Sequence, residues 1–196
     1  MWHVASIGFA HGVGTYTLSF WLPQLMKSFL SGYSYIVVGF AVLIPNLAGL
    51  AAMVLVSRHS DRTLERRYHV AISATVGGIA LVLLGTAHST FLSIALLSLA
   101  AVGIYSILGP YFSLPGEFLT GFSAASGIAV VTSVANLGGF AGPYAVGLIH
   151  QRTGTWYASF AFAGLSLFIS ATLALLLPRK IIDDRFSVTA AESELP

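Results

Sequence analysis

Val56-Ser-Arg-His-Ser-Asp-Arg-Thr-Leu-Glu-Arg-Arg67 is a short, densely charged stretch between two long apolar runs. It holds Arg58, Arg62, Arg66 and Arg67, four of the nine basic residues, with Asp61 and Glu65 among them. The surrounding 196-residue chain is 56% hydrophobic and only 8% charged, against roughly 25% charged in an ordinary soluble domain. A soluble fold of this size cannot hide that much apolar surface, so the solvent for most of the chain is lipid. The stretch is therefore read as an extramembrane loop whose arginines set orientation.

Working outward, each crossing of the hydrocarbon needs about 20 apolar residues. Cutting at charged and turn residues predicts an all-α membrane protein with six transmembrane helices, at about 2–26, 35–56, 68–87, 90–113, 124–149 and 156–177. Ser31 to Ser34, Ala87 to Thr90, Glu117 to Ser123 and Gln151 to Gly154 are the connecting turns. Pro178 stops the sixth helix, and residues 181–196 form a polar tail expected to be disordered. The start of the chain lacks Lys or Arg and runs on too long for an h-region, so no cleavable signal peptide is expected.

Six crossings place both termini on one side. With the termini inside, Arg58, Arg62, Arg66, Arg67, Arg179, Lys180 and Arg185 are cytoplasmic, and only Lys27 and Arg152 lie outside. That bias predicts both ends cytoplasmic. The first helix alone, with Lys27 after it and no cation before it, favours the opposite sense. Trp2, Trp21 and Trp156 fall at predicted helix ends, as an aromatic belt would, with a ligand role open for Trp21.

Polar groups at membrane depth are costly and each is a functional candidate. His11 in the first helix is either a proton carrier or a neutral imidazole bonded to a neighbouring helix. Gly8 and Gly12 allow close helix approach. Asn46 follows Pro45 and either binds a ligand or satisfies freed backbone. Gly109, Pro110 and Pro115 predict a bent or broken fourth helix, with Tyr105 and Phe112 on roughly one face. Glu117 is expected in the loop that follows, and would be a proton-site candidate were it in the membrane. Asn136 lies in the middle of a glycine-rich fifth helix, where it either binds carboxylate and hydroxyl groups or bonds another helix.

The formal charge of +2 does not suggest nucleic acid. Without cysteines the chain has no disulfides or thiolate metal sites. His59, His69, His88 and His150 stand in loops or at helix ends, away from ligand spacing. There is no phosphate loop, no G-x-S-x-G and no H-E-x-x-H. Neither an enzyme, a cofactor nor a metal is expected.

Taken together, several motifs resemble the C-terminal half of the anion:cation symporter branch of the major facilitator superfamily. They are S-F-W-L-P-Q (Ser19 to Gln24), R-H-S-D-R-T-x-E-R-R (Arg58 to Arg67), G-I-Y (Gly103 to Tyr105), F-x-L-P-x-x-F-L-T-G (Phe112 to Gly121), A-x-G-I-A (Ala125 to Ala129) and N-L-G-G-F-x-G-P-Y (Asn136 to Tyr144). Members include bacterial tartrate, phthalate and sugar-acid permeases, so an inner-membrane location is implied for a bacterial chain. The resemblance implies helices seven to twelve of a twelve-helix bundle, with substrate near the midplane between two six-helix halves. It implies transport of a small organic anion with protons. Asn136 matches a substrate-contacting asparagine, and Tyr16 and Phe112 would line the same cavity; His11, a candidate from the first helix itself, is expected at the same substrate site. Asp61, Arg62, Arg66 and Arg67 match the second copy of a helix-loop-helix signature that acts as a cytoplasmic gate. The family usually has Gly where this chain has Ser57 and Leu64. Its proton-coupling acids and anion-binding arginine lie in the N-terminal half; that half, or a second polypeptide, is the implied partner. The competing reading is an orphan or truncated six-helix subunit with no transport activity of its own.

Overall fold

The computed structural model describes the backbone of residues 1–118 and 121–177, and the side chains outside 117–124. The described residues form seven helices: α1 Trp2–Phe29, α2 Tyr35–Thr63, α3 Arg67–Leu84, α4 Thr90–Ser106, α5 Leu108–Phe118, α6 Gly121–Thr153 and α7 Trp156–Leu175. Helix is the expected form, because lipid offers the backbone no hydrogen-bond partners and an α-helix satisfies them internally. The chain is thus an all-α membrane protein. Among the described residues five spans are long and apolar enough to cross a membrane, and α4 with α5 counts as one of them, Thr90–Gly116. The 28-residue α1 is long enough as well. It falls outside that set because His11, Thr15, Tyr16, Thr17 and Ser19 dilute its apolar character.

The interruption between α4 and α5 sits at Ile107, just before Gly109-Pro110. Pro110 has no N–H to give the carbonyl one turn earlier. The chain tightens there, with Ile107 N–H donating to Ile104 O at 3.4 Å, and helix resumes with Tyr111 N–H to Ile107 O at 2.9 Å.

The largest departure from the sequence reading is at the charged stretch. Helix α2 does not stop near Val56 but continues to Thr63, so Arg58, Asp61 and Arg62 are helical. Ser-Arg-His-Ser-Asp-Arg-Thr contains no Gly or Pro to end it, and charged residues are tolerated in a helix that has left the hydrocarbon. The stop is Leu64, at φ 53° and ψ 23°, in the left-handed region where a helix C-terminus usually carries Gly. The turn proper is Leu64 to Arg66. Helix α6 likewise runs past the expected end at 149 to Thr153, and closes on Gly154 at φ 68°. The tail 181–196 and the cations Arg179, Lys180 and Arg185 lie outside the described residues.

Helix α1 packs on α6 and α7, α3 on α7 and α4, and α2 on α4. The α1–α6 contact is a backbone-to-backbone approach. A β-carbon on Gly12 would collide with the Ala135 carbonyl, one on Gly138 with the Phe9 carbonyl, and one on Gly142 with that of Val13. Only small residues let helices come that close. Two apolar clusters fill the bundle. One, around Leu18, Leu22, Leu97 and Leu167, lies toward the α1 C-terminus; the other, around Val4, Val70, Ile107 and Tyr111, lies toward its N-terminus.

Both ends of the bundle carry polar ties. At one, His3 Nε2 is 2.7 Å from Leu173 O, and Arg67 Nη1 donates to Leu177 O at 3.0 Å. At the other, Trp21 Nε1 donates to Pro143 O at 3.3 Å, and the Trp21 and Trp156 rings meet edge-to-face at 5.1 Å. Of the three tryptophans only Trp2, 76% exposed, stands free as a belt residue would. Trp21 and Trp156 are half-buried and pack on each other.

Candidate functional site

One open side of the bundle carries a cavity of about 430 Å³ between α1, α5 and α6. Helix α1 sends His11, Thr15 and Tyr16 to it, α5 sends Tyr111 and Phe112, and α6 sends Asn136. A second hollow of about 520 Å³ adjoins it and shares Tyr16, Phe20 and Asn136. Together they make a trough along α1 and α6.

Asn136 and Tyr16 meet at the junction, where the Tyr16 hydroxyl donates to Asn136 Oδ1 at 2.8 Å. The Tyr16 ring lies over Gly139, where a β-carbon would strike it. Gly139, between the glycines that let α1 approach α6, thus makes room for the ring. Because Oδ1 is occupied by the Tyr16 proton, the amide Nδ2 protons remain available as donors. The Tyr16 oxygen keeps its acceptor capacity. The pair presents a donor and an acceptor side by side.

Phe112 forms an aromatic wall, 41% exposed and edge-to-face with Tyr111 at 5.2 Å. Tyr111 itself is buried, its hydroxyl donating to Val4 O at 3.2 Å. His11 belongs to the back of the cavity, only 4% exposed. Thr15 Oγ1 donates to the His11 carbonyl at 3.0 Å and lies 3.1 Å from His11 Nε2. The same hydroxyl lies 3.4 Å from His11 Nδ1, so it sits against the edge of the ring. Among the described residues lining the cavity none is Lys, Arg, Asp or Glu.

The structure therefore brings Asn136, Tyr16, Phe112 and His11 to one hollow. Thr15, Tyr111 and Thr132 join them without having been singled out as site residues. Helical spacing carried the signal, since Thr15 and Tyr16 follow His11 by one turn and Thr132 precedes Asn136 by one turn. Asn46 lies elsewhere: its Nδ2 donates to Val42 O at 2.8 Å and its Oδ1 accepts from Tyr105 at 3.0 Å, tying α2 to α4. Glu117, expected in a loop, belongs by its backbone to the last turn of α5; its side chain lies outside the described residues.

Asp61, Arg62, Arg66 and Arg67 gather at the end of the bundle that also holds His3. Asp61 pairs with Arg66 at 2.6 Å. Arg66 Nη1 donates to Ser60 Oγ at 3.0 Å, and Ser60 donates to Glu65 O at 2.7 Å. The network closes the α2–α3 turn on itself. Arg67 caps the α7 end through Leu177 O. Arg62 is exposed. Ser57 faces Gly109 so closely that a β-carbon on the glycine would meet its hydroxyl. The small residue needed where α2 crosses α5 is thus Gly109.

The histidines correct the sequence reading in one place. His59 and His69 stand ten residues apart and give no ligand spacing in sequence, yet their rings meet across the turn. Among the described residues, no group of three His, Asp or Glu side chains is placed to hold a metal.

The sequence profile of the Major Facilitator Superfamily matches residues 4–193. A protein of Agrobacterium vitis named "Putative tartrate transporter" is 41% identical over 176 residues, covering 90% of this chain and 39% of that protein. A second of the same name and organism is 39% identical, covering 90% and 40%. A "Quinolone resistance transporter" of Acinetobacter baumannii is 35% identical over 166 residues, covering 85% and 38%. The chain spans about two fifths of the length of these curated relatives. With a match along nearly its whole length and an all-helical bundle that fits one half of such a protein, this integral membrane chain belongs to the Major Facilitator Superfamily.

Proposed function

We propose that the chain is one half of a secondary transporter for a small organic anion, a carboxylate of the tartrate, phthalate or sugar-acid kind, carried with protons. The observation that carries this reading is the Tyr16–Asn136 pair, hydrogen-bonded at the edge of an open cavity. Its adjacent donor and acceptor match a hydroxyl or a carboxylate oxygen, and Phe112 offers a face to the body of the substrate. The names of the Agrobacterium vitis relatives agree with such a cargo.

Among the described residues the cavity has no cation, so the proposal assigns the anionic charge to residues outside this chain. The N-terminal six-helix half of such a transporter, lying across the open side of α1 and α6, is the proposed source. The proposed orientation has both termini cytoplasmic, which puts Asp61, Arg62, Arg66 and Arg67 at an inner gate and Trp21 and Trp156 at the outer end.

The test is uptake of labelled tartrate, phthalate and a sugar acid by vesicles holding this chain with the N-terminal half of an Agrobacterium vitis relative. Uptake above that of either part alone supports the reading, as does its loss in Asn136→Ala at unchanged membrane amount. A protonophore should abolish it. No uptake of any of the three would overturn the reading and leave a six-helix membrane subunit with no transport of its own.

A further inference from the structure

His59 stands in the last turns of α2, and His69 in the first turn of α3. His59 Nδ1 lies 2.7 Å from His69 Nε2, with ring centroids 5.0 Å apart. His69 Nδ1 lies 3.0 Å from Glu65 Oε2. The same carboxylate accepts the Tyr68 N–H at 2.8 and 3.0 Å, which fixes it at the start of α3. The three side chains form a line from one helix to the other.

Proton counting along that line has one outcome. An ionised carboxylate only accepts, so it holds a proton on His69 Nδ1. A neutral His69 then offers a bare Nε2, and His59 must donate from Nδ1. One added proton keeps the bond whichever ring carries it, and makes it charge-assisted. A second added proton sets N–H against N–H between two cations, and the contact cannot survive.

From these positions we infer that Glu65, His69 and His59 are a proton-binding latch between α2 and α3, closed when the histidine pair carries at most one extra proton and opened by the second. The ionisable groups around it are Arg58, Asp61 and Arg62 on α2, Arg66 in the turn, and Arg67 and Tyr68 on α3. Helix α4, packed on both, has no charged side chain. Among the described side chains α5 adds no charged group, and α7 presents the Leu177 carbonyl to Arg67. Imidazole is the side chain that normally changes charge between about pH 5 and 8, so acidification on this side of the membrane would loosen the turn that Asp61 and Arg66 close. The latch is separate from the cavity at Asn136.

Spin labels read this directly, because the chain has no cysteine of its own. Leu55→Cys and Ile72→Cys place labels at exposed positions on α2 and α3 beside the latch. In the full chain in lipid nanodiscs, the distance distribution should be single and narrow at pH 8, with a longer population growing as pH falls to 5. Opening by one net proton raises the open-to-closed ratio by up to about tenfold per pH unit. His59→Gln and His69→Gln, in the labelled background, should each abolish that pH dependence. A distribution unchanged from pH 8 to pH 5 would overturn the latch, and so would an unchanged pH response in either variant. Neither result bears on transport through Asn136.

Discussion

Tyr16 donates its hydroxyl proton to Asn136 Oδ1 at 2.8 Å, and so fixes which way the Asn136 amide faces. Without that proton the amide could turn over and offer its oxygen to the cavity. In the complete transporter, Tyr16→Phe should therefore weaken binding of a hydroxylated acid by about 1 kcal/mol, or about fivefold, the usual net value of one such bond. The loss should be smaller for an analogue lacking the hydroxyl. Tyr16 is 37% exposed, so the fold should be preserved. Equal losses for both substrates would show that Tyr16 acts by packing rather than by orienting the amide.

The contact between α1 and α6 positions that pair, and it depends on missing side chains. Gly138→Val would drive a β-carbon into the Phe9 carbonyl. Backbone cannot yield as a flexible side chain does, and overpacking of this kind typically costs about 1–3 kcal/mol. The expected result is a lower unfolding temperature in detergent and a lost Tyr16–Asn136 contact. Gly39→Ala on α2 is the control, since its β-carbon meets nothing within 4 Å and a helical Ala is favoured by roughly 1 kcal/mol. It should leave the unfolding temperature unchanged or raise it.

The sequence was informative where a physical constraint acts on neighbouring residues. Gly109-Pro110 announced the break at Ile107, because a missing N–H and a missing side chain act within one turn. The charged stretch located the α2–α3 turn, and the motifs placed Asn136 and Tyr16 in one cavity. It was misleading about where α2 ends, since charge was read as loop although nothing before Leu64 breaks a helix. Also hidden was the His59–His69 contact, which depends on where the turn brings two helices. Trp21 and Trp156 looked like independent anchors for the same reason: their pairing is tertiary.

Asp61 and Arg66 lie 2.6 Å apart, but the Asp61 side chain is 62% exposed and that of Arg66 only 12%. An ion pair with one partner in solvent contributes about 0–1 kcal/mol to stability. Asp61→Asn should thus shift the unfolding temperature little. Its effect should fall on the transport cycle, because the pair joins the end of α2 to the turn leading into α3. The expected outcome is a changed transport rate at nearly unchanged substrate affinity, measured by uptake kinetics. Loss of affinity with an unchanged rate would remove the pair from the gate.

Leu64 is the described non-glycine residue with positive φ, at 53°. An L side chain in the left-handed region costs roughly 1–2 kcal/mol, because its β-carbon crowds the following carbonyl oxygen. Glycine enters that region without the penalty, although it loses more chain entropy on folding. The Leu64 side chain is 54% exposed, so little packing is lost on removing it. Leu64→Gly should accordingly stabilise the chain by about 0.5–1 kcal/mol and raise its unfolding temperature. Leu64→Val should lower it, since branching at the β-carbon aggravates the same clash. Both are read by thermal unfolding in one detergent. A stabilised Val variant, or a destabilised Gly variant, would mean that α2 does not end on a left-handed residue.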